Sequence, residues 1–206
     1  MKHWQAPTAA GFVGIVLAGG HSARMGRDKA MLPYRGRTLL EHMAALLQAS
    51  GACRVLVSGP PRTGYTSVPD RQPELGPLGG IHAVVTTLAG TPDSIRLLIV
   101  PVDMPALSIP TLTTLLQLSP GIRACHYAEH PLPLGLALDE TVRAQLNRLM
   151  EDTVRPAAER SLHAFCSGLH ARVLPMAREI EQEFAGLNTP EEWAAFRAAC
   201  DAVPAP

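Results

Sequence analysis

Three short apolar runs constrain the fold of this chain more than any other feature. They lie at Phe12 to Ala18, Arg54 to Ser58 and Ile95 to Val102, and within none of them do apolar and polar residues alternate. Continuous runs of this length, rich in Val, Ile and Leu, are typical of parallel strands that are buried on both faces. Because such a sheet needs helices on both sides, the runs predict an α/β fold: a doubly wound, mostly parallel sheet in three layers.

Helix patterns separate the apolar runs, as parallel strands require. One helix is predicted from Leu39 to Ser50, with Thr38 and Glu41 as a capping box and Gly51 as a left-handed C-terminal cap. A second helix is predicted at Gly79 to Leu88. The first sixty residues therefore form one βαβ unit, for which a right-handed crossover is expected.

The second half of the chain is less regular. Ser108 can cap a helix, and strands are predicted at Ile122 to Tyr127 and Leu134 to Leu138, where an antiparallel edge of the sheet can form. Further helices are predicted at Asp139 to Met150, at Arg155 to Ser167, and from Thr189, where Thr-Pro-Glu-Glu supplies a cap, a first-turn proline and an acidic third position.

Charge and length exclude several classes of function. The 206 residues fit one domain, and 18 Lys and Arg balance 18 Asp and Glu, so no charged face for nucleic acid or a membrane surface is indicated. No apolar run approaches the roughly 18 residues of a membrane span. The stretch Gly11 to Gly20 resembles the core of a signal peptide, but a buried strand explains it better because a polar loop follows directly.

Cysteine usage favours a reducing compartment. The four cysteines contain no CxxC pair, and a chain of this size does not need disulfide bonds to be stable. We therefore expect reduced thiols in a cytoplasmic protein. The cysteines are Cys53, Cys125, Cys166 and Cys200.

Three unusual segments follow predicted strands or open the helices between them. In doubly wound sheets, ligands bind outside the carboxyl ends of the strands, so these segments are expected to share one crevice. The segments are Leu17 to Lys29 (LAGGHSARMGRDK), Asp70 to Ile81 (DRQPELGPLGGI) and Pro101 to Leu107 (PVDMPAL).

The first segment has the composition of a phosphate-binding loop. Gly19, Gly20 and Gly26 let backbone N–H groups approach phosphate oxygens, and Arg24 and Lys29 can neutralise their charge. The pattern is neither GxxxxGK[ST] nor GxGxxG. A flexible loop with solvated charges is the alternative, but the position directly after a buried strand favours phosphate binding.

Two carboxylates stand in the other segments. Asp103 lies between two prolines after the third apolar run, where a carboxylate can hold Mg²⁺. It could instead cap the next helix, but Ser108 is better placed to do so. Asp70 precedes a Gly-Pro-Leu-Gly-Gly turn that brings backbone N–H groups to the same crevice, although a plain turn explains this segment equally well.

Taken together, the segments resemble a known family. The patterns LAGG-x-S-x-RMG-x-DK, D-x5-GPLGGI and P-x-D-x-P-x-L, in this order and spacing, resemble the molybdenum cofactor guanylyltransferases of the nucleotidyltransferase superfamily. The closing LNTPEE at Leu187 to Glu192 resembles that family as well. The resemblance covers nearly the whole chain and implies a Rossmann-like nucleotidyltransferase fold in a single domain, residues 1–206, with a core at about 12–202.

The resemblance also implies an activity. It is the transfer of GMP from GTP to the phosphate of molybdopterin, with Mg²⁺ as cofactor and pyrophosphate as second product. GTP and molybdopterin are then the partners, with proteins that deliver or accept the cofactor, and neither nucleic acid nor membrane. By resemblance, Arg24, Lys29 and Asp103 are catalytic, Asp103 binds the metal, and GTP contacts Leu17, Ala18, Gly19, Gly20, Lys29, Asp70 and Asp103.

Other functions stay open at this point. Where family members often carry Asn after the second strand, this chain has Ser58, so a nucleotide contact there is left open. A molybdopterin cytidylyltransferase or a sugar-phosphate nucleotidyltransferase is the nearest alternative, and a non-catalytic nucleotide or pterin carrier is another. The second glycine of LAGG, Gly20, favours guanine by resemblance. Ala128 to Leu138 is a candidate for the acceptor side, although a Pro-rich connection into a strand explains it equally well.

Overall fold

The fold was analysed in a computed structural model, which describes residues 11–19, 27–70, 72, 75–89, 95–152, 154, 156 and 159–201. These residues form nine strands and six α-helices. The strands are β1 Phe12–Leu17, β2 Pro33–Tyr34, β3 Arg37–Thr38, β4 Ala52–Ser58, β5 Thr66–Val68, β6 Ile95–Pro101, β7 Ala124–Tyr127, β8 His130–Leu138 and β9 Arg172–Leu174. The helices are α1 Leu39–Ala49, α2 Pro77–Thr87, α3 Ile109–Thr114, α4 Glu140–Glu151, α5 Leu162–Gly168 and α6 Pro190–Asp201.

Within the described residues, seven strands form one sheet in the order β5-β4-β1-β6-β8-β7-β9, and β2 pairs with β3 in a separate hairpin. β1 lies in the middle of a parallel set, paired with β4 on one side and β6 on the other. β8 runs antiparallel to both of its neighbours, β6 and β7. The mostly parallel sheet that the apolar runs predict is confirmed.

Helices cover both faces of the sheet. Successive residues of β1 point to opposite faces, so Ile15 packs in a cluster with Ile81 of α2 and Phe165 of α5. Val16 packs on the other face with Leu47 of α1 and Leu112 of α3. Two buried clusters on either side of one sheet make the three-layer architecture, and none of the helices described is long and apolar enough to span a membrane.

The predicted caps and thiols also agree with the structure. Glu41 Oε2 accepts from the Thr38 N–H at 2.6 Å while the Glu41 N–H donates to Thr38 Oγ1 at 3.2 Å, which is the capping box of α1. Ser108 caps α3 by accepting from the Thr111 N–H. All four cysteines are free.

Two expectations of the second half need correction. The antiparallel strand is β8, and it lies inside the sheet instead of at an edge, because its residues Leu132, Leu134 and Leu136 are buried and its main chain pairs on both sides. The helix expected from Arg155 is shorter, since Ser161 accepts from the Ala164 N–H and so starts α5 at Leu162.

Candidate active site

A cleft of about 400 Å³ opens at the carboxyl ends of β4, β1 and β6. Its wall brings together residues from all three segments that the sequence singled out, with further residues from the C-terminal part of the chain. The lining residues are Leu17, Ala18, Gly19, Asp28, Lys29, Ala30, Ser58, Asp70, Gly76, Pro77, Gly80, Pro101, Val102, Asp103, Met104, Leu132, Gly186 and Asn188.

The main chain after β1 forms the floor of the cleft. The Ala18 N–H donates to the Ser58 carbonyl at 2.8 Å, and the Val102 N–H donates to the Leu17 carbonyl at 3.1 Å. These bonds tie the end of β1 to the ends of β4 and β6. Leu17, Ala18 and Gly19, the predicted nucleotide contacts, therefore lie on a fixed backbone that faces the cleft.

Gly59, which the sequence reading missed, makes this close approach possible. Its φ of +143° is rare for residues with a side chain. A Cβ at Gly59 would lie only 2.9 Å from the carbonyl group of Ala18 and from the Gly19 nitrogen. Glycine is therefore required where the chain leaves β4 beside the floor of the cleft.

The charged centre of the site is a cluster of three side chains. The ammonium nitrogen of Lys29 lies 2.8 Å from Asp103 Oδ2 and 2.9 Å from Asn188 Oδ1, and donates to both. The side chains of Lys29 and Asp103 keep only 14% and 21% of their exposure, so water screens this ion pair less than a surface pair. We call Lys29, Asp103 and Asn188 the charged cluster.

Lys29 is positioned by the residue that precedes it. Asp28 caps the short 3₁₀ turn Lys29–Met31 by accepting from the Ala30 N–H at 3.1 Å. The other carboxylate oxygen of Asp28 pairs with Arg62, whose side chain is largely buried. Arg62 lies in the loop after β4, so this ion pair links that loop to Asp28, the residue directly before Lys29.

Asp103 is held through its backbone and that of its neighbours. Its carbonyl accepts from the Leu187 N–H at 2.9 Å, which brings the C-terminal part of the chain to the end of β6. Two residues further on, the Pro105 carbonyl accepts from His42 Nε2 of α1 at 2.9 Å. Burial lowers the pKa of His42, more than the bond to Pro105 raises it, so the ring is neutral at pH 7.

Asp70 also lines the cleft, beside the first turn of α2. Its Oδ1 accepts from the Gln72 N–H at 2.8 Å. A Cβ at Gly79 would lie 2.9 Å from both carboxylate oxygens, so glycine lets α2 approach this side chain. The Gly-Pro-Leu-Gly-Gly turn is thus part of the cleft wall, with Gly76, Pro77 and Gly80 in its lining.

Ser58 lines the cleft and is 1% exposed. Its hydroxyl faces Gly80, where an added Cβ would stand 2.5 Å from Ser58 Oγ. The small side chain at position 58 and the glycine at position 80 therefore fit each other.

The described residues bring together most of the predicted site and add to it. Leu17, Ala18, Gly19, Lys29, Asp70 and Asp103 all line the cleft, while Gly20 and Arg24 lie outside the described residues. Asn188 is the functional candidate that sequence reasoning missed. The LNTPEE pattern contains Asn188, but from its residues alone that pattern predicts only the start of a helix.

The donor chemistry of the charged cluster suits a hard divalent cation shared with a phosphate ligand. Among the described residues, no group of three or more His, Cys, Asp and Glu side chains could hold a metal by itself. Asp103 offers one carboxylate, and Mg²⁺ usually takes one or two protein carboxylates and completes its shell with water and phosphate oxygens. The cleft therefore fits a metal that arrives with, or is completed by, a phosphate ligand.

Comparison with known proteins gives consistent results. A family model for the MobA-like NTP transferase domain matches residues 14–171. The molybdenum cofactor guanylyltransferase of Xanthomonas euvesicatoria pv. vesicatoria is 44% identical over 182 residues, which cover 88% of this chain and 92% of that protein.

Solved structures share the fold. Molybdopterin-guanine dinucleotide biosynthesis protein A from Archaeoglobus fulgidus superposes with a TM-score of 0.71 at 19% identity, covering 93% of this chain and all of that one. A Mycobacterium tuberculosis protein solved in complex with manganese superposes with a TM-score of 0.57 at 19% identity, covering 94% of this chain and 100% of that one.

Proposed function

Because the chain belongs to the molybdenum cofactor guanylyltransferase family, we propose that its cleft transfers GMP from GTP to the phosphate of molybdopterin. The products are pyrophosphate and the guanine dinucleotide form of the cofactor. The observation that carries this function is the charged cluster at the carboxyl ends of the parallel strands, where sheets of this type bind nucleotides.

The reaction exchanges one phosphorus–oxygen bond for another. An oxygen of the molybdopterin phosphate attacks the α-phosphorus of GTP and forms a new bond, while the bond to the bridging oxygen of the β-phosphate breaks. The bonding electron pair leaves with pyrophosphate. A phosphate monoester has a second pKa of about 6, so the nucleophile is already ionised at neutral pH and no side chain has to remove a proton.

The remaining barrier comes from bringing two anions together, and Lys29 acts on it. In the proposal, the ammonium group exchanges Asp103 for phosphate oxygens of the bound triphosphate. Charge-assisted hydrogen bonds to phosphate are about twice as strong as neutral ones, and a fixed cation needs little reorganisation during the reaction. Arg24, the second predicted cation, and Gly20 remain predictions from the sequence.

Asp103 is the residue that we propose to hold Mg²⁺. Bound there, Mg²⁺ would neutralise charge on the phosphates of the triphosphate. Asp103 suits this role because its carbonyl is bonded to Leu187 and the preceding Val102 is bonded to Leu17, so its backbone is fixed.

In the proposal, the guanosine end of the nucleotide lies against the floor of the cleft. The backbone of Leu17, Ala18 and Gly19 contacts the guanine nucleotide, and Asp70 contacts its guanosine part. Backbone groups that pair with the guanine edge would be left unpaired by cytosine, at a cost of about 1–3 kcal/mol each. Proteins that deliver molybdopterin or accept the product, and the cytoplasmic location, remain predictions from the family resemblance.

Pyrophosphate release tests this function. The purified protein is incubated with molybdopterin, Mg²⁺ and each of the four ribonucleoside triphosphates in turn. We expect release that depends on molybdopterin and is at least about tenfold faster with GTP than with the others. Release with none of the four would refute the proposed activity, and release with CTP alone would assign the chain to cytidylyl transfer.

A further inference from the structure

Glu192, in the first turn of α6, makes more contacts than a helix cap requires. Its Oε2 accepts from the Thr189 N–H at 3.0 Å, while the Glu192 N–H donates to Thr189 Oγ1 at 3.2 Å, which completes a capping box. The same oxygen also accepts from the Asn188 N–H at 2.6 Å. One exposed carboxylate thus fixes two consecutive peptide groups ahead of the helix.

The second of these contacts leads directly into the charged cluster. Two hydrogen bonds hold Asn188. Its backbone N–H donates to Glu192, and its side-chain Nδ2 donates to the Gly186 carbonyl at 3.3 Å. This arrangement turns Asn188 Oδ1 toward Lys29, from which it accepts at 2.9 Å. The orientation of the lysine ammonium group therefore depends on where the Asn188 backbone lies.

The segment that carries Asn188 is attached at both ends. The Leu187 N–H is bonded to the Asp103 carbonyl at 2.9 Å on one side of Asn188, and Glu192 binds the backbone on the other side. Without the Glu192 carboxylate, the Asn188 and Thr189 N–H groups would lose the acceptor that holds them. Among the described contacts, the bond of Leu187 to Asp103 and the side-chain bonds of Asn188 would remain, as would the bonds of Thr189 to the first turn of α6.

We propose that Glu192 is a positioning residue of the transfer reaction: by fixing the Asn188 backbone, it holds the Asn188 amide oxygen where that oxygen orients Lys29 toward the phosphates. The proposal rests on the proposed function of the cleft. Glu192 does not line the cleft and acts through Asn188, so its loss disturbs the geometry of Lys29 without removing a charge from the site.

The chain contains a matched control in Glu41, which forms a capping box with Thr38 at the start of α1. Glu41 Oε2 accepts from the Thr38 N–H at 2.6 Å and from Thr38 Oγ1 at 3.0 Å, and like Glu192 it is exposed. Glu41 is bonded to no residue of the charged cluster among the described residues. Loss of Glu41 therefore reports what the loss of a cap alone does to the enzyme.

The first experiment compares Glu192→Ala with Glu41→Ala in steady-state kinetics and thermal unfolding. Both variants should lower Tm by similar amounts. Glu192→Ala should lower kcat about tenfold with KM for GTP within about twofold, because a misplaced catalytic group affects turnover more than binding. Glu41→Ala should leave kcat unchanged. Equal kcat values for Glu192→Ala and the unaltered enzyme would overturn the proposal, and so would equal losses in the two variants.

A conservative variant and a double variant test the route through Asn188. Glu192→Gln keeps an acceptor oxygen at the same place and should recover most of kcat. Glu192→Ala combined with Asn188→Ala should be no slower than Asn188→Ala alone if Glu192 acts only through Asn188. Additive losses in the double variant would contradict that route.

Amide hydrogen exchange separates this proposal from the proposed function, because it needs no turnover. The backbone amides of Asn188 and Thr189 should exchange faster in Glu192→Ala than in the unaltered protein, and the amide of Leu187 should change less. If the unaltered protein released no pyrophosphate, the function would fail even with this exchange pattern. Unchanged exchange at both amides in an active enzyme would overturn the positioning role alone.

Discussion

The two halves of the sheet contribute to the cleft in different ways. In the half that contains β4, β1 and β6, cleft residues lie at the end of each of these parallel strands or within two residues of it: Ser58 at the end of β4, Gly19 after β1, and Asp103 after β6. In the half formed by β8, β7 and β9, the cleft receives Leu132 from the start of the reversed strand and Asn188 from a segment well beyond β9. The comparison teaches that the parallel half builds the floor and carries Asp103, the carboxylate that we propose to bind the metal, while the other half places one polar contact on the lysine.

Replacing Asp103 by Asn tests the contribution of the parallel half most severely. The substitution keeps the shape of the side chain but removes the charge, so we expect kcat to fall by about a hundred- to a thousandfold. Pyrophosphate release over a range of Mg²⁺ concentrations measures the effect. The matched control is Asp139→Asn, which changes the N-cap of α4, where Asn caps equally well. Unchanged turnover of Asp103→Asn with Mg²⁺ would refute the metal assignment.

Lys29 contacts Asp103 from the parallel half and Asn188 from the other half, so its loss removes both of these contacts. Lys29→Ala should lower kcat about a hundredfold, because the hydrogen bonds to phosphate that we propose for Lys29 would strengthen in the transition state. Arg27→Ala is the control: it removes a cation from the same loop, at an exposed position that does not line the cleft. If Lys29→Ala changed only the unfolding temperature, the lysine would be structural.

The parallel half of the sheet and the cleft residues that follow its strands could be predicted from the sequence. The runs that form β1 and β6 are apolar apart from Arg96, as expected of strands with both faces buried, and the residues that follow such strands lie at the ligand-binding edge. Asp103, two residues after β6, can therefore be predicted from its position, whereas Lys29 can be predicted from the glycines and cations of the loop that follows β1. The glycines after Asp70 are equally compatible with a plain turn, so its role in the site is predicted only by the family resemblance; the structure adds the close approach of Gly79 to its carboxylate.

The other half could not be predicted in the same way. β9, Arg172–Leu174, has only three residues and shows no pattern, and the chain then runs through a 3₁₀ segment, Arg178–Phe184, before it returns to the cleft. Asn188 reaches Lys29 because the Leu187 backbone is bonded to Asp103. That is a tertiary contact across more than eighty residues, which neither periodicity nor spacing predicts.

Gly59→Ala should affect stability and tests how closely the main chain after β4 packs against the floor of the cleft. The added methyl group would meet the backbone of Ala18 and Gly19 at a φ that disfavours side chains, so the free energy of unfolding should fall by about 3 kcal/mol. Gly64→Ala, at φ +83° in the same loop with no atom within 4 Å of the added carbon, should cost about 1 kcal/mol. Denaturant unfolding measures both, and equal losses would mean that the contact with the floor is unimportant.

The most direct test of the central claim is a competition between GTP and CTP for molybdopterin in the same reaction. The two triphosphates are supplied at equal concentration with Mg²⁺ and limiting molybdopterin, and the dinucleotide products are separated and identified by mass. The account predicts that the guanine dinucleotide exceeds the cytosine dinucleotide by about a hundredfold, as two backbone groups left unpaired by cytosine would require. Equal amounts of the two products would contradict it.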